Sequence, residues 1–221
     1  AGTTRPITHS QTIVAEADEF DRSFLQLRPA IAAITAMDAD HLDIYGTHEE
    51  YCKAFKKFAS QVSRYLIVKH GLDITPEDTN ARIFTYSYDD PQADFHARDP
   101  HPDELGHYIF DLVHPDGVIE GIRVGIPGWV NVENSVAAAA ICLKYRVSPL
   151  AIKEAIGSYK GVKRRLEAHV NVPGLTYIDD YAHHPQELRS AISSLRGMFP
   201  GRKITAIFQP HLYTRTRDFA D

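Results

Sequence analysis

Short apolar runs that close on clusters of Asp, Glu and His constrain the fold of this chain more than any other feature. Residues 12–15 (Thr-Ile-Val-Ala) run into Glu16, Asp18 and Glu19, and residues 30–35 (Ala-Ile-Ala-Ala-Ile-Thr) run towards Asp38, Asp40, His41 and Asp43. Residues 65–68 (Tyr-Leu-Ile-Val) form a third run. Continuous apolar stretches of this length suit strands covered on both faces, as in a parallel sheet. Between the second and third runs, Thr47 opens a stretch with Glu49 and Glu50 early and Lys53, Lys56 and Lys57 late. That charge order suits a helix dipole, and Tyr51, Phe55 and Phe58 fall on one inner face.

From about residue 81 to 128 the pattern changes. Phe84, Tyr86 and Tyr88 alternate with polar residues, as do Tyr108, Phe110 and Leu112 ahead of a His114-Pro115-Asp116-Gly117 turn. This alternation predicts antiparallel hairpins in a small sheet flanking the main one. Asn131 or Asn134 is placed to cap an Ala-rich helix over residues 135–145, and Ser148-Pro149 opens another through Tyr159. A basic connector, residues 160–165 (Lys-Gly-Val-Lys-Arg-Arg), follows. Beyond it, strand 176–179, helix 185–198 and strand 204–208 read as one βαβ unit with a right-handed crossover. The expected fold is therefore α/β: a mostly parallel central sheet flanked by helices with a small antiparallel sub-sheet, then a truncated Rossmann-like βαβ unit. Roughly 50 residues after the connector are too few to close a doubly wound domain, and the chain begins at Ala1, so a fragment is expected.

Composition narrows the function class. The chain has 221 residues and a formal net charge of -5, which speaks against a nucleic-acid binder with a basic stripe. No apolar run approaches the ~20 residues of a membrane span, and residues 1–11 lack the layout of a signal peptide. Two cysteines, Cys52 and Cys142, make no disulfide framework. A cytoplasmic type of globular protein is the expectation, with an unusual load of 12 His.

Ligands in open α/β sheets bind beyond the carboxyl ends of strands. Four polar clusters fall at such ends: Glu16-Ala17-Asp18-Glu19, Asp38-Ala39-Asp40-His41, Asp179-Asp180-Tyr181-Ala182-His183-His184 and Gln209-Pro210-His211. Carboxylates with a few imidazoles suit a hard divalent cation such as Mg²⁺ completed by water and phosphate oxygens. Taken singly, Glu16 reads as a helix-start acid and His41 as a capping or core histidine. The connector is either a solvated basic linker or a phosphate clamp of bidentate Arg geometry, and Arg215-Thr216-Arg217 offers the same choice. Asn131 and Asn134 are either caps or partners for a purine edge. His9, His48, His70, His96, His101, His107 and His114 receive no role. From the residues alone a metal-dependent hydrolase and a non-catalytic nucleotide-binding module stay open.

The motifs as a set resemble one family. Glu16-Ala17-Asp18-Glu19-Phe20-Asp21, Asp38-Ala39-Asp40-His41-Leu42-Asp43, Pro127-Gly128-Trp129-Val130-Asn131-Val132-Glu133-Asn134, Lys163-Arg164-Arg165-Leu166-Glu167, Asp179-Asp180-Tyr181-Ala182-His183-His184-Pro185 and the run from Phe208 to Asp218 stand in an order and spacing similar to the Mur ligases of peptidoglycan synthesis. The last two segments resemble the branch that joins L-alanine to UDP-N-acetylmuramate. The branch that recycles murein tripeptide is the runner-up.

The resemblance implies a bacterial, cytoplasmic enzyme with ATP and Mg²⁺ as cofactors, which activates a carboxylate as an acyl phosphate before an amine displaces phosphate. It implies a partial central ATPase domain over residues 1–165, without its phosphate loop, and the start of a C-terminal domain over 166–221. By the same likeness Glu16 and His41 are metal ligands, and Asn131 and Asn134 lie on the adenine side. Arg165 approaches the ATP phosphates and Asp180 the ribose. Tyr181, His183 and Arg215 face the muramoyl and alanine groups. The chain departs from the family pattern at Val130, where His is usual, and at Leu212, where Arg is common.

Overall fold

The computed structural model describes residues 5–6, 12–38, 42–103, 106–172, 174–183 and 185–209, and the chain falls into two compact units, Ala1–Tyr86 and Ser87–Asp221.

In the first unit, strands β1 (Arg5–Pro6) and β2 (Ile13–Val14) form a two-residue antiparallel pair. The sequence predicts a buried strand here, but Ile13 and Val14 are 70% and 62% exposed. Two ladder residues make too short a strand to bury a face, so apolarity alone misplaces this run. The main strands β3 (Ile31–Ile34), β4 (Tyr65–Lys69) and β5 (Arg82–Ser87) are all parallel, with Ile31 opposite Tyr65 and Leu66 opposite Ile83. Phe84 and Tyr86 lie on β5, whose pairing with β4 extends the parallel set. Alternation reports that one face is more buried than the other, not the direction of the neighbour.

After the short helix α1 (Leu42–Tyr45), helix α2 (His48–Ser60) lies between β3 and β4 in sequence. The Thr47 hydroxyl accepts from the Glu50 N–H and caps it, and Tyr51, Ala54, Phe55, Phe58 and Ala59 are its buried face. A short 3-10 segment, Phe20–Gln26, sends Phe24 against Phe55 and Phe58, each at a ring separation of 5.2 Å. These rings join Ile34, Leu66 and Val68 in one apolar core.

In the second unit, β6 (Phe95–Pro102), β7 (Tyr108–His114) and β8 (Gly117–Arg123) are antiparallel, and the β7–β8 hairpin turns where the sequence predicts. Phe95, Ala97, Phe110, Leu112 and Ile122 are buried along them. Helix α3 (Trp129–Lys144) packs on β6 and β7 through Val132, Val136 and small Ala side chains, and α4 (Pro149–Ser158) packs along β8. Ser148 caps α4 as expected, accepting from the Ala151 N–H. Gly125 lies so close to α4 that a Cβ there would meet the Tyr159 and Gly157 carbonyl oxygens at 2.4 and 2.6 Å.

Beyond the connector, β9 (Glu167–Val172) and β10 (Leu175–Asp179) form an antiparallel hairpin, followed by α5 (Pro185–Met198). The predicted strand 176–179 and helix 185–198 are present, but β9 replaces the expected βαβ order, and residues 204–208 form no ladder. Ile207 is 98% exposed there. An apolar run becomes a strand only where a neighbour satisfies its backbone, and among the described residues none pairs with it.

Candidate functional site

Most of the sequence-nominated residues that the structure describes lie in the second unit, around the starts of two helices. The Gly125-Ile126-Pro127-Gly128 turn leads into α3. Gly128 takes the N-cap position at φ 101°, where a side chain is strained, and a Cβ would come within 3.0 Å of Leu166 Cδ1 and 3.6 Å of Ser194 Cβ on α5. This glycine therefore lets the connector and α5 approach the positive end of α3. Asn131 and Asn134 sit inside the helix rather than capping it, three residues apart on one face. The half-buried Asn131 amide donates to the Pro127 carbonyl at 2.6 Å, while Asn134 is exposed. Trp129 meets Tyr88 edge-on at 5.5 Å, and burial chiefly pushes the Tyr88 phenol up to about 12.

The connector is tied to the loop after β10 at several points. The Arg164 carbonyl accepts from the Tyr181 N–H at 2.8 Å, and the Leu166 N–H donates to Asp180 Oδ2 at 2.7 Å. The other Asp180 oxygen accepts from the Ala182 N–H at 2.8 Å. Arg164 and Leu166 stand at φ 59° and 48°, a conformation uncommon outside glycine. The Arg164 guanidinium lies 4.7 Å over the Tyr181 ring.

A carboxylate absent from the sequence reading gathers the rest. Glu187, in the first turn of α5, accepts from Arg165 Nη1 through Oε1 at 3.3 Å and from the His183 N–H through Oε2 at 3.0 Å. The His183 ring lies edge-on to Tyr181 at 5.0 Å, with Nδ1 2.8 Å from the Tyr181 carbonyl. A carbonyl can only accept, so Nδ1 carries a proton in this contact, and Glu187 Oε2 lies 3.5 Å from the same nitrogen. The signal for Glu187 was an acid just inside the Pro185 start of a predicted helix. Arg165, Asp180, Tyr181 and His183 thus share one hydrogen-bonded cluster.

The remaining nominated residues are elsewhere. Glu16 follows β2 in the first unit, and its residue is exposed. His41 and Arg215 lie outside the described residues, as do Asp40, Leu212 and the 210–218 part of the last motif. Several histidines without a role contact main-chain carbonyls: His48 that of Met37, His96 that of Ala93, His101 that of Asp99 and His107 that of Val124.

Comparison with known proteins defines the class. The family model for the Mur ligase middle domain matches residues 7–142, and that for the Mur ligase glutamate ligase domain matches 164–221. The chain belongs to the Mur ligase family. It is 44% identical over 95% of its length to a UDP-N-acetylmuramate--L-alanine ligase of Phocaeicola vulgatus, and 46% identical over 96% to the protein of that name from Parabacteroides distasonis. It spans about half the length of these curated relatives, 46% of each. Among solved structures, the UDP-N-acetylmuramate-alanine ligase MurC of Thermotoga maritima is similar at TM-score 0.72 and 24% identity, over 86% of this chain and 43% of that one. A MurF structure from Acinetobacter baumannii follows at TM-score 0.68 and 24% identity, over 79% of this chain and 39% of its own. At these identities the structures speak for the fold. No helix among the described residues is long and apolar enough to cross a membrane.

Proposed function

We propose that this chain is part of a bacterial, cytoplasmic, ATP-dependent ligase that joins L-alanine to UDP-N-acetylmuramate. Residues 1–165 would be a partial central nucleotide-binding domain and 166–221 the start of the C-terminal domain. The carrying observation is identity of 44–46% to relatives named for that reaction along 95–96% of the chain.

The donor set of Glu16 and His41, one carboxylate and one imidazole, fits a Mg²⁺ ion whose shell is completed by water and phosphate oxygens. ATP would supply the phosphoryl group that makes the muramate carboxylate a competent electrophile, and Mg²⁺ would offset the charge gathered on the phosphates. Asn131 and Asn134, at the start of α3, would take the adenine edge. Arg165 has a cationic fork suited to phosphate and would exchange its 3.3 Å contact to Glu187 for the nucleotide. Asp180 would stand near the ribose while its two backbone contacts hold the loop. Tyr181, His183 and Arg215 would face the muramoyl and alanine groups, with Arg215 able to pair with a carboxylate.

Phosphate release by the longer protein that contains this chain tests the reading. It should require UDP-N-acetylmuramate, L-alanine, ATP and Mg²⁺ together, and Arg165→Ala should raise the KM for ATP about tenfold. Equal release with murein tripeptide in place of L-alanine would assign the recycling reaction instead, and release without any amine acceptor would overturn ligation. This chain by itself should show no turnover.

A further inference from the structure

We propose that the β9–β10 hairpin carries a second divalent-cation site, formed by Glu167, His169 and Asp179 and suited to a transition metal such as Zn²⁺. It shares no residue with the Glu16 and His41 set and does not depend on the proposed reaction. One ligand atom from each of the three side chains lies within 4.8 Å of the others. His169 Nε2 is 3.8 Å from Glu167 Oε2 and 4.0 Å from Asp179 Oδ2.

The register explains why they converge. Glu167 stands directly opposite Asp179 in the hairpin. Two carboxylates facing each other in a cross-strand pair repel, which a shared cation would reverse. Val170 pairs with Tyr177 but Ala168 pairs with Ile178, so His169 is the extra residue of a bulge. Bulges re-aim side chains, and here the His169 ring stacks on Tyr177 at 5.4 Å with its Nε2 towards the two acids.

The neighbouring charges leave room for an ion. Arg164 is the nearby cation, with Nε 3.6 Å from Asp179 Oδ2, while its backbone N–H holds Glu167 Oε2 at 2.8 Å. Two carboxylates against one guanidinium leave one negative charge. The Arg164 guanidinium also rests on the Tyr181 ring, which keeps it placed if Asp179 turns to a metal. Donors around a tetrahedral Zn²⁺ at about 2.0–2.1 Å stand roughly 3.3 Å apart, so side-chain movements under about 1 Å close the site. Three protein ligands leave the fourth position to water. Three converging protein ligands with one water suit tetrahedral Zn²⁺, whereas Mg²⁺ keeps an octahedral shell filled mostly by water and phosphate oxygens.

Titration of the chain with ZnCl2, followed by calorimetry and by the His169 ring resonances, tests the site. One equivalent of Zn²⁺ should bind with a saturable shift of the His169 signal, and an excess of Mg²⁺ should not displace it. His169→Gln should remove that equivalent, and Glu167→Gln should weaken it by about tenfold or more. Unchanged circular dichroism of the metal-free variants keeps loss of binding distinct from loss of fold. Identical Zn²⁺ stoichiometry and affinity in the wild type and both variants would overturn the proposal, as would a His169 resonance that does not respond.

Discussion

At the scale of single residues, Thr47 and Gly125 show two different ways in which a position is fixed. Thr47 satisfies a backbone N–H that the first turn of α2 would otherwise leave to water. Thr47→Ala should therefore cost about 1 kcal/mol, read as a lower urea midpoint with an unchanged slope. Gly125 is fixed by what a side chain would strike: two backbone oxygens that no rotamer change can move. Gly125→Ala should cost about 3 kcal/mol or more in the same measurement, because α4 must shift away from the sheet. The first constraint is legible in sequence, since a Thr ahead of two Glu and a run of Lys is a helix start whatever surrounds it. The second depends on a contact between distant segments and leaves no local mark. Asn131 illustrates the limit: a good capping residue in composition, it lies inside α3 because Gly128, at positive φ, had already taken the cap position.

Elements divide in the same way. Helices α2, α4 and α5 were readable because amphipathic spacing and capping chemistry are properties of the segment itself. Strand partners were not. The β5 run alternates like a hairpin strand yet lies parallel to β4, and residues 204–208 are apolar enough for a strand yet form no ladder. Strand β9 is not among the expected elements, although Glu167, His169 and Asn171 alternate with Ala168, Val170 and Val172 before a Pro173-Gly174 turn signal. Packing between elements gives a further prediction. The 3-10 segment is anchored by Phe24, 2% exposed, against two rings of α2. Phe24→Ala should cost about 3–5 kcal/mol, measured by denaturant unfolding, with the first unit losing protection from hydrogen exchange around α2.

Over the whole molecule, pH supplies a check that no local mutation gives. His114 is half-buried, stacked on Phe95 at 6.4 Å, and burial, the largest influence, holds its pKa below the ordinary 6.5. Nearby Lys144 lowers it further while Asp116 opposes. The folded state thus binds this proton less readily than the unfolded chain. Its contribution to stability is present above pH 6.5 and is lost as pH falls from there through the depressed folded value. The fall in melting temperature between about pH 7.5 and about 5.5 should be smaller in His114→Gln than in the wild type. The family was legible in the order of the motifs, because each motif is a contiguous string. The cluster around Glu187 was only half legible, because its carboxylate acts on residues 4 and 22 positions away in the chain.

The two hydrogen bonds between the connector and the loop after β10 have a mechanical consequence. They bind Arg164 to Tyr181 and Leu166 to Asp180 in a double stitch, so residues 164–166 are splinted to the β9–β10 side and cannot act as a swivel. Between α4 and that splint, Gly161 stands at φ 84° and the Val162 carbonyl accepts from the Arg165 N–H at 3.2 Å. A pivot between α4 and this splint would carry residues 164–166 and the Asp180–Tyr181 backbone together, so connector and loop would turn as one piece.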